Sequence, residues 1–136
     1  MTFVVDASVT LAWCFGDEGS ELADRVLARL AGEEALAPAI WPLEVANGLR
    51  TAARRGRIEL ADLAQVRELL TALPVRIEGV SLDGALGEVT ELARALEVTA
   101  CDAAYLALAA RRGLALATVD QQLRRACERA GVELVV

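Results

Sequence analysis

The chain has no histidine and no lysine; all 14 of its basic residues are arginine. Without histidine there is no serine–histidine–aspartate triad, no imidazole general base and no histidine zinc site. Without lysine there is no phosphate-binding loop of the Walker type, no Schiff base and no kinase ion pair. Any catalysis then rests on carboxylates. Aromatic residues are scarce at 4%. The three cysteines, Cys14, Cys101 and Cys127, form no CxxC pair, so they read as small hydrophobes in a reducing compartment rather than as disulfide or zinc ligands. Long apolar runs are absent too: the longest, Ala35–Leu43, is broken by Pro38 and Pro42 and falls far short of a membrane span. With no basic segment ahead of an apolar stretch at the start, the chain reads as soluble and cytoplasmic.

What is present is a sequence of 136 residues, 55% hydrophobic, enough for one domain, residues 1–136, with its own core. Phe3-Val4-Val5 reads as a strand ending at Asp6, and an alanine-rich helix follows. Leu22, Val26, Leu27 and Leu30 mark a helix face closed by Gly32. A short strand near Leu36-Ala37 leads to a helix that carries Pro42 in its first turn and runs to Arg55. Leu60, Leu63, Leu70 and Leu73 repeat the helical stripe until Pro74. A strand over Val75–Val80 is followed by Ser81 as an N-cap and a helix with Leu82, Leu86, Val89, Leu92 and Leu96 on its inner face. Thr99 caps the helix Cys101–Arg112, which Gly113 closes. Leu114–Thr118 reads as a buried strand, followed by a helix to Ala130 and a last strand over Glu133–Val136. Alternating strands and helices imply an α/β fold with a mainly parallel central sheet flanked by helices.

Net charge is −6, which by itself speaks against a nucleic-acid partner. The placement of four carboxylates changes that reading. Asp6 ends an apolar strand and Asp120 follows one, so both emerge at the carboxyl edge of a parallel sheet, where ligands of such folds bind. Glu44 lies in the first turns of a helix among Ile40, Trp41, Pro42, Leu43, Val45 and Ala46. Asp102 sits in the least polar helix, between Cys101 and Ala103. N-capping accounts equally well for Asp6 and Asp120 taken alone, and the helix dipole in part for the other two. Together, with no lysine or histidine to pair them, an all-oxygen set suits Mg²⁺ or Mn²⁺ rather than Zn²⁺. Neutralising that set would free the arginines to meet phosphate, and phosphodiester hydrolysis is the reaction such a site serves.

Four segments in order resemble the PIN-domain nucleases, and within them the VapC-type toxins of bacterial toxin–antitoxin pairs. They are Val4-Val5-Asp6-Ala7-Ser8-Val9, then Pro38 through Leu49 with Glu44 and Asn47, then Thr99 through Ala107 with Asp102, then Leu116-Ala117-Thr118-Val119-Asp120. The resemblance implies a PIN-like fold and a Mg²⁺- or Mn²⁺-dependent endoribonuclease. In it Asp6, Glu44, Asp102 and Asp120 would be the metal-site and catalytic carboxylates. Thr118 and Ser8 would orient carboxylates or water, with helix capping the competing role for Ser8, and Asn47 would support Glu44 from one turn away. It also implies a homodimer and a small antitoxin partner that covers the site. Cys101, where an aromatic is usual, and Gly48, a weak helix former, depart from the pattern.

The densest basic segment is Arg50, Arg54, Arg55 and Arg57. Arg55 lies about three turns beyond Glu44, on nearly the same face, so Arg55 and Arg54 are candidates for RNA phosphate contact; charge at a helix C-terminus is the plainer explanation. Arg111 and Arg112 read as surface residues, and Trp13 and Trp41 as packing residues rather than base-stacking ones. Two competing functions are a non-catalytic PIN-like RNA-binding or regulatory module, which loss of a carboxylate would favour, and another Mg²⁺-dependent phosphohydrolase or receiver. For the last, Ser8 stands where a phosphatase of the haloacid-dehalogenase type needs a second aspartate, and a receiver needs a lysine.

Overall fold

In the computed structural model, which describes residues 2–15 and 20–136, strands alternate with helices along the chain. The order is β1 (Thr2–Val5), α1 (Ala7–Cys14), α2 (Glu21–Arg29), β2 (Glu34–Pro38), α3 (Trp41–Arg54), α4 (Leu60–Thr71), β3 (Val75–Glu78), α5 (Leu82–Gly84), α6 (Thr90–Leu96), α7 (Ala100–Arg112), β4 (Leu116–Ala117) and α8 (Gln121–Ala130). The four strands form one parallel sheet in the order β3-β2-β1-β4. Val4 is the hinge of the register, paired to Leu36 on one side and Leu116 on the other. Phe3, Val4 and Val5 are wholly buried, as an inner strand covered on both faces requires. The strand order reverses between β1 and β4, so the crevice beyond their carboxyl ends is the ligand-binding position of open α/β sheets.

The helices start and stop where local chemistry dictates. Ser20 accepts from Ala23 N–H, Ser81 from Gly84 N–H and Thr99 from Asp102 N–H, each at a helix N-terminus. Gly113 and Gly131 close α7 and α8 with positive φ, 65° and 72°, where a side chain would be strained. The most buried helix is α7: Ala103, Tyr105, Leu106, Ala107, Leu108 and Ala109 all lie in the core. It packs against β1 and β2, and burying each leucine there contributes about 2 kcal/mol.

Several expectations shift. The helix after Ser81 is interrupted by a π-helical turn, Ala85–Val89, between α5 and α6. Thr90 Oγ1 donates to the Ala85 carbonyl five residues back, at 2.7 Å. The wider turn rotates the upstream residues off the inner face. Val89 and Leu96 are therefore buried while Leu82 and Leu86 are 74% and 66% exposed. The stripe on α4 and the turn after it is buried only in part: Leu63, Leu70 and Leu73 pack against the core, while Leu60 is open to solvent. β4 is shorter than expected, and the last strand is reduced to a single parallel bridge between Leu116 and Leu134. Of the cysteines only Cys127 is buried; Cys14 is half-buried and Cys101 exposed. Among the described residues no helix is long and apolar enough to cross a membrane.

Gly48 has a packing reason. A Cβ there would lie 2.4 Å from Leu11 Cδ1, so the missing side chain lets α1 sit close against α3. Trp41 and Trp13 are held as packing residues: Trp41 Nε1 donates to Thr10 Oγ1 at 3.0 Å and Trp13 Nε1 to the Ala23 carbonyl at 2.8 Å. Arg111 and Arg112 both pair with Glu78 at the end of β3, holding its carboxyl below the usual range.

Candidate metal centre

The end of β1 turns directly into α1, and Asp6 occupies that corner. Its backbone N–H is tied to the Ala117 carbonyl of β4, and its side chain caps α1 by accepting from Val9 N–H at 3.0 Å. Two hydroxyls complete its shell. Ser8 Oγ reaches both carboxylate oxygens, at 2.7 and 2.9 Å, and Thr118 Oγ1 donates to Oδ2. Those hydroxyls are themselves aimed by the β4–α8 turn: Val119 N–H donates to Ser8 Oγ and Asp120 N–H to Thr118 Oγ1, each at 3.1 Å. Ser8 is therefore an orienting residue and Asp6, not Ser8, is the cap.

Asp6 is 3% exposed, and its pKa is pushed up to about 6. Burial is the main cause; the hydrogen bonds from Thr118, Val9 and Ser8 oppose it, and the charge of Asp120 adds to it. Asp102, half-buried in the first turn of α7, is also pushed up, by burial first and then by Asp120 and Glu44. Asp6, Glu44, Asp102 and Asp120 come from four separate elements, with the charge of Asp120 acting on both Asp6 and Asp102 and that of Glu44 on Asp102. Glu44 is half-buried in the first turn of α3, where Tyr105 donates to its Oε1 at 2.6 Å. Asp120 is exposed, and its Oδ1 caps α8 by accepting from Gln122 and Leu123 N–H. Asp6 and Asp120 thus serve as helix caps and as members of this cluster at once. Among the described residues, no three carboxylates or thiols already close on a common point that would hold a metal ion. The donors are nonetheless of one hard, oxygen-bearing kind, and like-charge crowding marks a place short of positive charge.

Asn47 is exposed one turn beyond Glu44. Arg54 and Arg55, both exposed, line a small cleft with Thr51 at the far end of α3. Three residues outside the candidate site set support the cluster. Thr10, wholly buried, donates to the Asp6 carbonyl at 2.9 Å while accepting from Trp41, which locks the corner from behind. Arg124 folds back from α8 to donate to the Thr118 carbonyl at 2.8 Å, closing the turn that carries Thr118 and Asp120. Tyr105 joins α7 to α3 through Glu44. A signal for Tyr105 was present: it stands three residues after Asp102, on the same helix face.

Beside Asp120 and Ser8 lies a cleft of about 410 Å³ with Leu11, Ala12 and Val119 on its walls. A larger apolar groove, about 640 Å³, runs between α3, α4 and β3, lined by Val45, Ala46, Leu49, Leu63, Val66 and Leu70 among others. It is where the stripe of α4 points.

The comparisons with known proteins agree with this layout. The sequence matches the PIN domain over residues 3–129. It is 36% identical over 123 residues to Ribonuclease VapC3 of Pyrobaculum aerophilum, covering 90% of this chain and 92% of that one. The fold is similar to the crystal structure of PAE2754 from Pyrobaculum aerophilum, with a TM-score of 0.70 over 93% of this chain and 84% of the other, at 24% identity. A four-stranded parallel sheet, a carboxylate cluster at its switch point and a match across nearly the whole length lead to one conclusion: this chain belongs to the PIN-domain family.

Proposed function

We propose that this chain, as one PIN-like unit, is a metal-dependent endoribonuclease that hydrolyses RNA phosphodiester bonds, the toxin of a cytoplasmic toxin–antitoxin pair. The observation that carries the reading is Asp6, a buried carboxylate served by two hydroxyls and one backbone N–H, with the like charge of Asp120 beside it. The relative named as a ribonuclease, similar over nine-tenths of this chain, supports the reaction class.

Asp6, Glu44 and Asp102 would hold a divalent cation, Mg²⁺ or Mn²⁺, with Asp120 completing the set through the oxygen not used in its cap. When bound, such an ion supplies Lewis-acid stabilisation of the negative charge that develops on the phosphate. The protein's own part is to hold its donors in place. Ser8 and Thr118 fix the plane of the Asp6 carboxylate, Arg124 holds the turn behind Thr118, and Tyr105 holds Glu44. Arg54 and Arg55 would meet RNA phosphate along α3 away from the cut, and Asn47 would support the Glu44 turn.

The apolar α3–α4 groove suits an apolar segment of the antitoxin, since it opens from the helix that begins beside Glu44. Exposed Ile77, Val80, Leu82 and Leu86, on β3 and the helix after it, suit a homodimer contact. A non-catalytic module would have lost carboxylates, and all four are here.

The test is to incubate purified, antitoxin-free protein with total RNA in Mg²⁺, in Mn²⁺ and in EDTA, beside Asp6→Asn. Discrete fragments that need metal and vanish in the variant are expected. Folded protein that binds metal but leaves every RNA intact, or cleavage that persists in EDTA, would overturn the reading.

A further inference from the structure

The tyrosine on α7 has a role that its packing alone does not require. Tyr105 is 1% exposed, and a phenylalanine would fill the same space in the core that it shares with Leu106, Leu108 and Ala109. Its hydroxyl nevertheless donates to Glu44 Oε1 at 2.6 Å, across 61 residues of sequence, and the Ala7 backbone at the start of α1 faces the phenol oxygen. The phenol therefore stands where α1, α3 and α7 meet. Asp102 is one turn before it on α7, and Asp6 is next to Ala7. A glutamate has three side-chain torsions, and holding them in one arrangement costs conformational entropy. Asp6 is held by three donors, whereas on Glu44 the phenol supplies the side-chain hydrogen bond that the fold provides.

We infer that Tyr105 is a positioning residue for the metal site: its buried hydroxyl fixes the Glu44 carboxylate beside Asp6 and Asp102 and so sets the affinity for the divalent cation. The geometry is that of a metal ligand oriented by a buried hydrogen-bond partner, whose loss costs about 10–100-fold in metal affinity. The inference rests on the proposed metal site, and one set of titrations separates the two.

Mn²⁺ binding to the intact protein is measured by calorimetry for wild type, Tyr105→Phe, Glu44→Gln and the double variant, with melting temperatures to show that each is folded. Tyr105→Phe is expected to weaken Mn²⁺ binding about tenfold or more. It should raise the Mn²⁺ needed for half-maximal cleavage, with cleavage restored at saturating Mn²⁺ and KM for RNA unchanged. In the Glu44→Gln background Tyr105→Phe should change Mn²⁺ affinity no further, because the hydroxyl acts through that carboxylate. Wild-type affinity in Tyr105→Phe, or an equal loss in both backgrounds, would overturn the inference. A spectroscopic readout needs no substitution. Tyr105 is the sole tyrosine of the chain, so ultraviolet resonance Raman bands of tyrosine report its hydrogen bond alone. Those bands should shift with the same Mn²⁺ midpoint as the heat signal; unshifted bands while Mn²⁺ binds would contradict the role. Wild type that binds no Mn²⁺, or Asp6→Asn that binds it as wild type does, would bring down the metal site itself and the inference with it.

Discussion

The two sides of the sheet treat their side chains in opposite ways. At the β1/β4 side, polar groups are held by several partners each: Asp6 by Ser8, Thr118 and Val9, Thr118 by Asp120 and Arg124, Glu44 by Tyr105. At the β3 side, α4 carries an apolar stripe that ends in an open groove, and Leu82 and Leu86 face solvent. Among the described residues, no buried side-chain polar atom lacks a hydrogen bond, so the fold is complete in its polar accounting and incomplete in its apolar one. A site built for chemistry needs fixed donors and tolerates strain; a surface built for a partner needs unfilled apolar area. The difference fits the proposal of catalysis at the first side and association at the second.

Substitutions that act on only one side sharpen this contrast. The largest effect belongs to Asp6→Asn, which should lower RNA cleavage by about 10³-fold, the equivalent of losing several kcal/mol of charge stabilisation. The same change should stabilise the metal-free fold above pH 6. Folded Asp6 has a pKa of about 6 against 3.8 for an ordinary aspartate. Between those values the folded chain keeps a proton that the unfolded chain has lost, so wild-type stability falls as pH rises through that window. Above it the asparagine variant should be more stable by about 1–3 kcal/mol, and near pH 4 the two should converge. Melting curves in EDTA at pH 4 and pH 7.5 check this; equal melting temperatures at pH 7.5 would show that the buried charge costs nothing.

On the other side, Ala46→Gln places a longer polar side chain in the groove without disturbing the core. It should weaken antitoxin binding by about 1–2 kcal/mol, without the loss of metal-dependent cleavage that Asp6→Asn brings. Binding of the cognate antitoxin at wild-type affinity would move the partner elsewhere. Gly48→Ala tests the join between the two sides. Helix propensity alone predicts a gain of about 1 kcal/mol. Contact with Leu11 predicts an overpacking loss of about 1–3 kcal/mol, so the net change expected in denaturant melts is a loss of about 1 kcal/mol. A more stable variant would show that α1 can shift away at no cost. The smallest effect is that of Arg55→Ala, which should reduce the salt dependence of RNA binding by about one phosphate contact. An unchanged slope would remove Arg55 from the RNA surface.

Much of the β1/β4 side was legible in the sequence because local rules govern it. Asp6 and Asp120 stand at strand-to-helix corners, Thr99 and Gly113 bracket α7, and an acid in so apolar a helix as α7 is conspicuous. What was not legible depends on distant contacts. Nothing near Tyr105 announces Glu44, and nothing near Thr10 announces Trp41. Hydrophobic periodicity also overstated the core. It marks Leu82 and Leu86 as inner residues, but the π-helical turn Ala85–Val89 breaks the α-helical spacing on which that stripe depends. On α4 the period is right and the burial is partial: Leu63 and Leu70 pack against the core and also line the open groove, and spacing alone does not tell a covered face from an open one. Gly48 looked like a flaw in a helix until α1 was seen packed against it.

The central claim, that Asp6, Glu44, Asp102 and Asp120 serve one metal site, is tested most directly by soaking crystals of the protein in Mn²⁺ and locating the ion by its anomalous scattering. The account predicts a peak at the carboxyl ends of β1 and β4, within about 2.0–2.3 Å of an Asp6 carboxylate oxygen and absent in Asp6→Asn. A peak elsewhere, or an empty cluster at Mn²⁺ concentrations that support cleavage, would contradict it.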